Sequence, residues 1–116
     1  MSTDQGLRIA LTIASDTRTG QMKVVIADSL VIGRASASGP EAPDLDLTPY
    51  GGAESGVSRA HAALVYADGH LFVEDLGSTS GTRINGFTLT PGQKYRLRSQ
   101  DELEFGRVRM TLRLIE

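Results

Sequence analysis

The sequence predicts an all-β fold, a sandwich of two antiparallel sheets made from about 11 short strands. Three observations carry this reading. Several segments alternate apolar and polar residues with period two; in the clearest, Val108, Met110, Leu112 and Leu114 alternate with Arg109, Thr111 and Arg113. Two dipeptides that favour two-residue hairpin turns, Asp68-Gly69 and Asn85-Gly86, each lie between apolar segments. The chain also holds 13 glycines against four prolines, and no segment reads as a helix longer than a turn.

Taken in order, Met1 to Gly6 is polar and is expected to be a flexible tail, leaving residues 7–116 as one domain. RIALTI places Ile9, Leu11 and Ile13 on one face and Arg8, Ala10 and Thr12 on the other. SDTRTG supplies turn chemistry, and QMKVVIA follows with Met22, Val24 and Ile26 on a common face. SLVIG is a short apolar strand ending at Gly33. The next segment, ASASGPEAPD, is rich in Ser, Gly, Pro and acids and reads as an exposed loop. Leu45 and Leu47 anchor a short strand within an irregular stretch. Glu41, Asp44, Asp46 and Glu54 are read as solvated loop acids.

The stretch GVSRAHAALVYADG, residues 56 to 69, admits two readings. Ser58 suits a helix N-cap and the alanines favour helix, so the local propensity points one way. The Asp68-Gly69 turn points the other way, because a hairpin needs a strand on each side. Ala62 to Ala67 is therefore expected to be a buried strand, apolar on both faces, with Ser58-Arg59-x-His61 on the loop before it. HLFVEDL, TRI and FTL around Asn85-Gly86, KYRLR, DELEFG and VRMTLRLI complete the strands.

Composition sets the outer limits. A chain of 116 residues suits one domain that buries roughly two thirds of its unfolded surface. The net charge of -2 provides no global basic field, so neither nucleic acid nor an anionic membrane is an expected partner. No apolar run reaches the length of a membrane span, and MSTDQG lacks the pattern of a signal peptide. The absence of cysteine removes disulfides, thiolate nucleophiles and cysteine metal sites, and it is compatible with a reducing cytoplasm.

Three loop segments carry the chemistry: Gly33-Arg34, Ser58-Arg59-x-His61, and GSTSGT from Gly77 to Thr82. Each lies where a strand ends or begins, and sandwich loops of this kind gather at one end. Together they would supply two guanidiniums, several hydroxyls and the backbone amides of a Gly-Ser-Thr-Ser-Gly turn. A set made of donors, two of them cationic, suits a tetrahedral oxyanion such as phosphate.

These three motifs, in this order and completed by Asn85-Gly86, resemble the forkhead-associated (FHA) domain from about Leu7 to Ile115. That family is a β-sandwich that reads phosphothreonine in partner peptides. The resemblance implies that Arg34 faces the phosphothreonine, that Ser58 donates its hydroxyl to a phosphate oxygen, and that Arg59 offers a phosphate-contacting side chain. It implies that Thr79 completes the cradle with its hydroxyl and backbone amide. His61 would brace the recognition loops without touching ligand. Gly33, Gly77, Gly81, Asn85 and Gly86 would support the loop and turn backbone. Arg83 either approaches the peptide or lies on an exposed strand. Gly56 falls in the neighbourhood that helps select the third residue after the phosphothreonine, and a bare glycine leaves that preference open.

One position departs from the pattern. Ser80 stands where the family usually carries an Asn that bonds the peptide main chain. A serine supplies about one hydrogen bond less, on the order of 0.5–1.5 kcal/mol, which implies weaker or less directed binding.

The expected function is therefore a phosphothreonine-dependent signalling or scaffold module of the cytoplasm, whose partner is a kinase substrate and which needs no cofactor. A phosphate-independent assembly module on the same fold is the alternative. An enzyme is not expected: no nucleophile, base and orienting acid are spaced as a set, and no phosphate-loop Gly-Lys-Ser/Thr motif occurs. His61 and His70 with Asp68 or Asp75 are too few to argue a metal site. The oligomeric state is open.

Overall fold

The computed structural model describes residues 6–36 and 42–115. The expected tail up to Gln5 and the acidic residue Glu41 lie outside the described residues. Eleven strands run in chain order: β1 Leu7–Ala14, β2 Thr19–Ile26, β3 Ser29–Gly33, β4 Leu45–Asp46, β5 Ala60–Ala67, β6 His70–Asp75, β7 Thr82–Ile84, β8 Phe87–Thr88, β9 Lys94–Leu97, β10 Glu102–Phe105 and β11 Val108–Ile115. The helical content of the described residues is one 3₁₀ turn, Thr48–Tyr50, opened by Pro49. No helix among them is long and apolar enough to cross a membrane.

The strands form two sheets, one ordered β2-β1-β11-β10-β7-β8 and the other β4-β3-β5-β6-β9. The period-two residues meet where the sheets face each other. Ile9, Leu11 and Ile13 of β1, Leu103 and Phe105 of β10, and Met110 and Leu112 of β11 are buried. From the second sheet Leu30, Ile32, Leu64, Val73 and Leu97 close the layer. Each buried Leu or Ile contributes about 1.5–3 kcal/mol of transfer free energy. The sequence thus folds by apolar alternation, and the turns fix the register.

Both turn dipeptides behave as read. Ala67 pairs with His70 across Asp68-Gly69, and Ile84 pairs with Phe87 across Asn85-Gly86. The first residue of each pair adopts a left-handed φ, 53° at Asp68 and 50° at Asn85. That is the conformation a two-residue turn of this type demands.

Two expectations need correction. The sheets are not wholly antiparallel, because β4 pairs with β3 in parallel, Ile32 opposite Leu45 and Gly33 opposite Asp46. A parallel pair cannot be joined by a tight turn, and 11 residues separate Gly33 from Leu45. The strand of the ambiguous stretch also begins earlier than Ala62. It starts at Ala60, so His61 lies within β5 rather than on the loop before it.

Candidate functional site

The positioning of the site starts from an irregularity in the β3–β5 ladder. Ile32 pairs with Ala62 but Gly33 pairs with Ala60, which leaves His61 as the extra residue of a bulge. A bulge re-aims the side chain it carries. Here it turns the imidazole into the interior, where His61 is fully buried and meets the Phe105 ring edge-on at 5.6 Å and 85°. At the same point the two backbones close on each other. A Cβ on Gly33 would lie 1.8 Å from the Arg59 carbonyl oxygen, so only glycine fits there. The Arg34 N–H then donates to that same carbonyl at 3.3 Å.

Three loops converge on this point. The half-buried Arg34 donates from Nε to the Val57 carbonyl at 2.6 Å, which fixes the guanidinium beside Ser58. The Ser58 N–H donates to His61 Nδ1 at 3.0 Å. Nδ1 is therefore the acceptor, and the imidazole is the neutral form protonated at Nε2, which donates to the Gly81 carbonyl at 2.8 Å. One buried ring thus ties the loop before β5 to the loop between β6 and β7. Burial holds its pKa below the ordinary histidine value, against opposing contributions from the Gly81 carbonyl and the charge of Asp75.

The Thr79 N–H donates to Ser58 Oγ at 3.1 Å. This differs from an amide held out for a ligand: the Thr79 amide is committed to Ser58, and its hydroxyl is what the loop presents. Because Ser58 Oγ accepts from Thr79, its own O–H is directed elsewhere, and it is a donor. Arg59, Thr79 and Ser80 are exposed around it. Ser80 leans over Gly56, since a Cβ on Gly56 would meet Ser80 Oγ at 2.7 Å, and Gly56 has a left-handed φ of 86°.

The hub of the β6–β7 loop is Asp75, which the sequence reading weighed only as a metal ligand. It is buried. Its Oδ1 accepts from the hydroxyls of Ser78 at 2.6 Å and Thr82 at 2.7 Å. Its Oδ2 accepts from the amides of Gly77 at 3.1 Å and Ser78 at 3.2 Å. Ser78 Oγ in turn accepts from the Gly81 amide at 2.9 Å. Burial raises the pKa of this carboxyl, but its hydroxyl and amide donors outweigh that and hold it below the usual carboxylate value. The signal was available: an acid followed at two and three residues by Gly and Ser is turn-forming Asx chemistry. No group of three His, Cys, Asp or Glu among the described residues is placed to hold a metal.

A second brace was not expected. The turn between β10 and β11 clamps the loop before Val57, with the Arg107 amide donating to the Ser55 carbonyl at 2.7 Å and its Nη2 donating to the Glu54 carbonyl. Remaining candidates fall elsewhere. Arg83 lies on β7 opposite Glu104 and pairs with it at 3.7 Å, on an exposed sheet face rather than among the converging loops. Asn85 does more than turn the chain. Its side-chain amide donates to Asp101 at 3.0 Å and its carbonyl oxygen accepts from the Glu102 N–H at 2.9 Å, which pins the hairpin of β7 and β8 to β10.

This corner is a compact set of one oriented guanidinium, an adjacent exposed arginine and two hydroxyls, on loops whose internal polar groups are satisfied. No buried side-chain nitrogen or oxygen lacks a partner among the described residues. The donors of such an array are chemically suited to an anion such as phosphate.

Comparison with known proteins points the same way. The model of the family described as FHA domain matches residues 30–106, about two thirds of the chain. Protein FraH of Nostoc sp. is 41% identical over 66 residues, covering 56% of this chain and 22% of FraH. The chloroplastic zeaxanthin epoxidase of Arabidopsis thaliana is 40% identical over 57 residues, covering 45% of this chain and 8% of the epoxidase. The chain therefore spans about a fifth of one curated relative and under a tenth of the other. Among solved structures, the FHA domain of an Arabidopsis thaliana protein superposes with a TM-score of 0.79 at 18% identity, covering 100% of this chain and 92% of that one. An FHA domain solved in a study of phosphothreonine-dependent FHA interactions gives a TM-score of 0.63 at 24% identity, with 92% and 98% covered.

Proposed function

This chain belongs to the FHA domain family, and from that premise we propose that it is a phosphothreonine-dependent interaction module for segments of kinase-modified partner proteins. The observation that carries the reading is the convergence of Arg34, Ser58 and Thr79. Arg34 is tied to Val57 and Thr79 is tied to Ser58, so three loops meet where a phosphate would need donors.

In this reading the Nη edge of Arg34 and the Ser58 hydroxyl donate to phosphate oxygens, and Arg59 adds a second positive charge at the rim. The Thr79 hydroxyl closes the cradle. A phosphothreonine brings about -1.5 to -2 charge and three acceptor oxygens, so its arrival switches recognition on. Each charge-assisted bond contributes about 1.5–3 kcal/mol, and micromolar affinity needs about 8 kcal/mol in total. The phosphate contacts thus supply most of a micromolar complex, and the peptide main chain supplies the remainder at Ser80. Preference for threonine over serine rests on one methyl, worth about 0.8 kcal/mol by burial alone. A module reading kinase products belongs in the cytoplasm.

The test is calorimetry with one threonine peptide in phosphorylated and unphosphorylated forms. Binding confined to the phosphorylated form, and lost in Arg34→Ala, is the expected result. Equal binding of both forms would instead establish phosphate-independent assembly.

A further inference from the structure

The outer face of the six-stranded sheet, away from the converging loops, has an uneven distribution of charge. Strands β1, β2 and β11 together carry four cations, Arg8, Lys23, Arg109 and Arg113, and no acid. This occurs in a chain whose net charge is -2. The three ion pairs among the described residues use Arg83, Lys94 and Arg107. Arg8, Lys23 and Arg113 are exposed and take no part in them.

Register explains how they are grouped. Ala10 lies between Lys23 on one side and Arg113 on the other. Arg8, two residues back along the same strand, lies between Val25 and Ile115. Two residues forward, Thr12 lies between Gln21 and Thr111. Short side chains on the central strand and long ones on its flanks make a trough of about 430 Å³, lined by Lys23, Arg113, Gln21, Gln100 and the two threonines. A shallower extension beside it includes Arg8, Val25 and Ile115, and no acid lines either part.

We propose that this trough is a second docking surface, and that its occupant is an extended acidic segment of a partner protein. Charge complementarity is one argument: the walls are cationic, and the other polar side chains of the lining are hydroxyls and amides, with no carboxylate among them. Spacing is the other. Alternate side chains of an extended chain repeat at about 6.5–7 Å, the same repeat that separates the Ala10 and Arg8 rows. Carboxylates at positions i and i+2 of such a segment would sit between Lys23 and Arg113 and then beside Arg8. The trough's concavity favours a single chain over a flat bilayer. It is also independent of the phosphate corner, because Ala10 stands four residues, roughly 13 Å, before Ala14 at the loop end of β1. A partner bearing both a phosphothreonine and an acidic stretch would engage two faces, so the second contact would act at high effective concentration.

The experiment is an amide NMR titration of the whole chain with an unphosphorylated peptide alternating Glu and Thr, beside its Gln-for-Glu counterpart. Shifts are expected at Ala10, Thr12 and Thr111 with the acidic peptide alone, weakening as salt is raised. The triple variant Arg8→Gln, Lys23→Gln, Arg113→Gln should bind about tenfold more weakly, while Arg34→Ala should bind as the wild type does. Each variant's amide spectrum reports whether it is folded. No shifts, shifts confined to the Ser58 and Thr79 loops, or equal shifts with the Gln peptide would overturn the proposal. So would charge-dependent co-sedimentation with phosphatidylserine vesicles in the absence of peptide binding, which would make the face a lipid surface.

Discussion

The loop corner and the outer face of the six-stranded sheet use arginine in opposite ways. At the corner Arg34 is half-buried and fixed through Nε to Val57, and the backbone around it is locked by His61 and Asp75. On the sheet face Arg8 and Arg113 stand in solvent and take no part in the ion pairs among the described residues. The difference is one of preorganisation. A fixed cation has lost its rotamer freedom during folding, so little remains to be lost on binding. A mobile one is screened and adaptable, and contributes about 0.2–1 kcal/mol per pair. The corner is built for one geometry, and the face for one sign of charge.

The sharpest way to break this contrast is to unlock the corner from within. Asp75→Ala strands the Ser78 and Thr82 hydroxyls, and a buried unpaired polar group costs about 1–3 kcal/mol. A loss of about 3 kcal/mol in urea unfolding is expected, far beyond any neutralisation on the sheet face. Next in size is Arg34→Ala, which should weaken phosphothreonine peptide binding about 10- to 150-fold by calorimetry while leaving the fold intact. Arg34→Lys should rescue little of it, since a lysine keeps the charge but loses the Nε bond to Val57.

Acidity provides a third test, with a sign for each group. The pKa of His61 is depressed in the fold, so its neutral form stabilises the protein fully above the unfolded value near 6.5. That contribution declines as pH falls from there towards the depressed folded value. Asp75 is also depressed, so its contribution is complete above the unfolded carboxylate value near 4 and is lost as pH falls below it. Urea midpoints measured down the pH scale should show two declines, the upper absent in His61→Ala and the lower absent in Asp75→Asn. The smallest effect belongs to Ser80→Asn, which should tighten phosphopeptide binding by about 2- to 12-fold. Unchanged affinity would remove Ser80 from the account of peptide holding.

Much of this was legible in the chain. The alternating strands and the two left-handed turn residues follow from local chemistry, which a sequence displays. The three loops that meet around Ser58 could be singled out because their residue types are donors, and the structure joins them through Arg34 to Val57 and Thr79 to Ser58. The bulge at His61 was not, because a bulge is defined by the partner strand and leaves the period of its own strand looking ordinary. The parallel β4 pairing and the Arg107 clamp were hidden for the same reason: each joins segments distant in sequence. Asp75 was visible, but only a metal role was weighed for it and set aside; its role as a hub depends on Ser78 and Thr82 folding back onto it.

The bond from the Ser58 amide to a buried imidazole has a further consequence, for time rather than affinity. Recognition loops normally open far more easily than a core. Here the Ser58 and Thr79 amides close onto His61 and Ser58, so the tip of the loop opens only when the bulge beneath it does. Their hydrogen exchange should be as slow as that of β5. In the proposed function a partner would then meet loops already ordered, and its arrival would be limited by encounter, at about 10⁵–10⁷ M⁻¹s⁻¹, not by loop ordering. Differences in lifetime among partners would accordingly be written in how fast they leave.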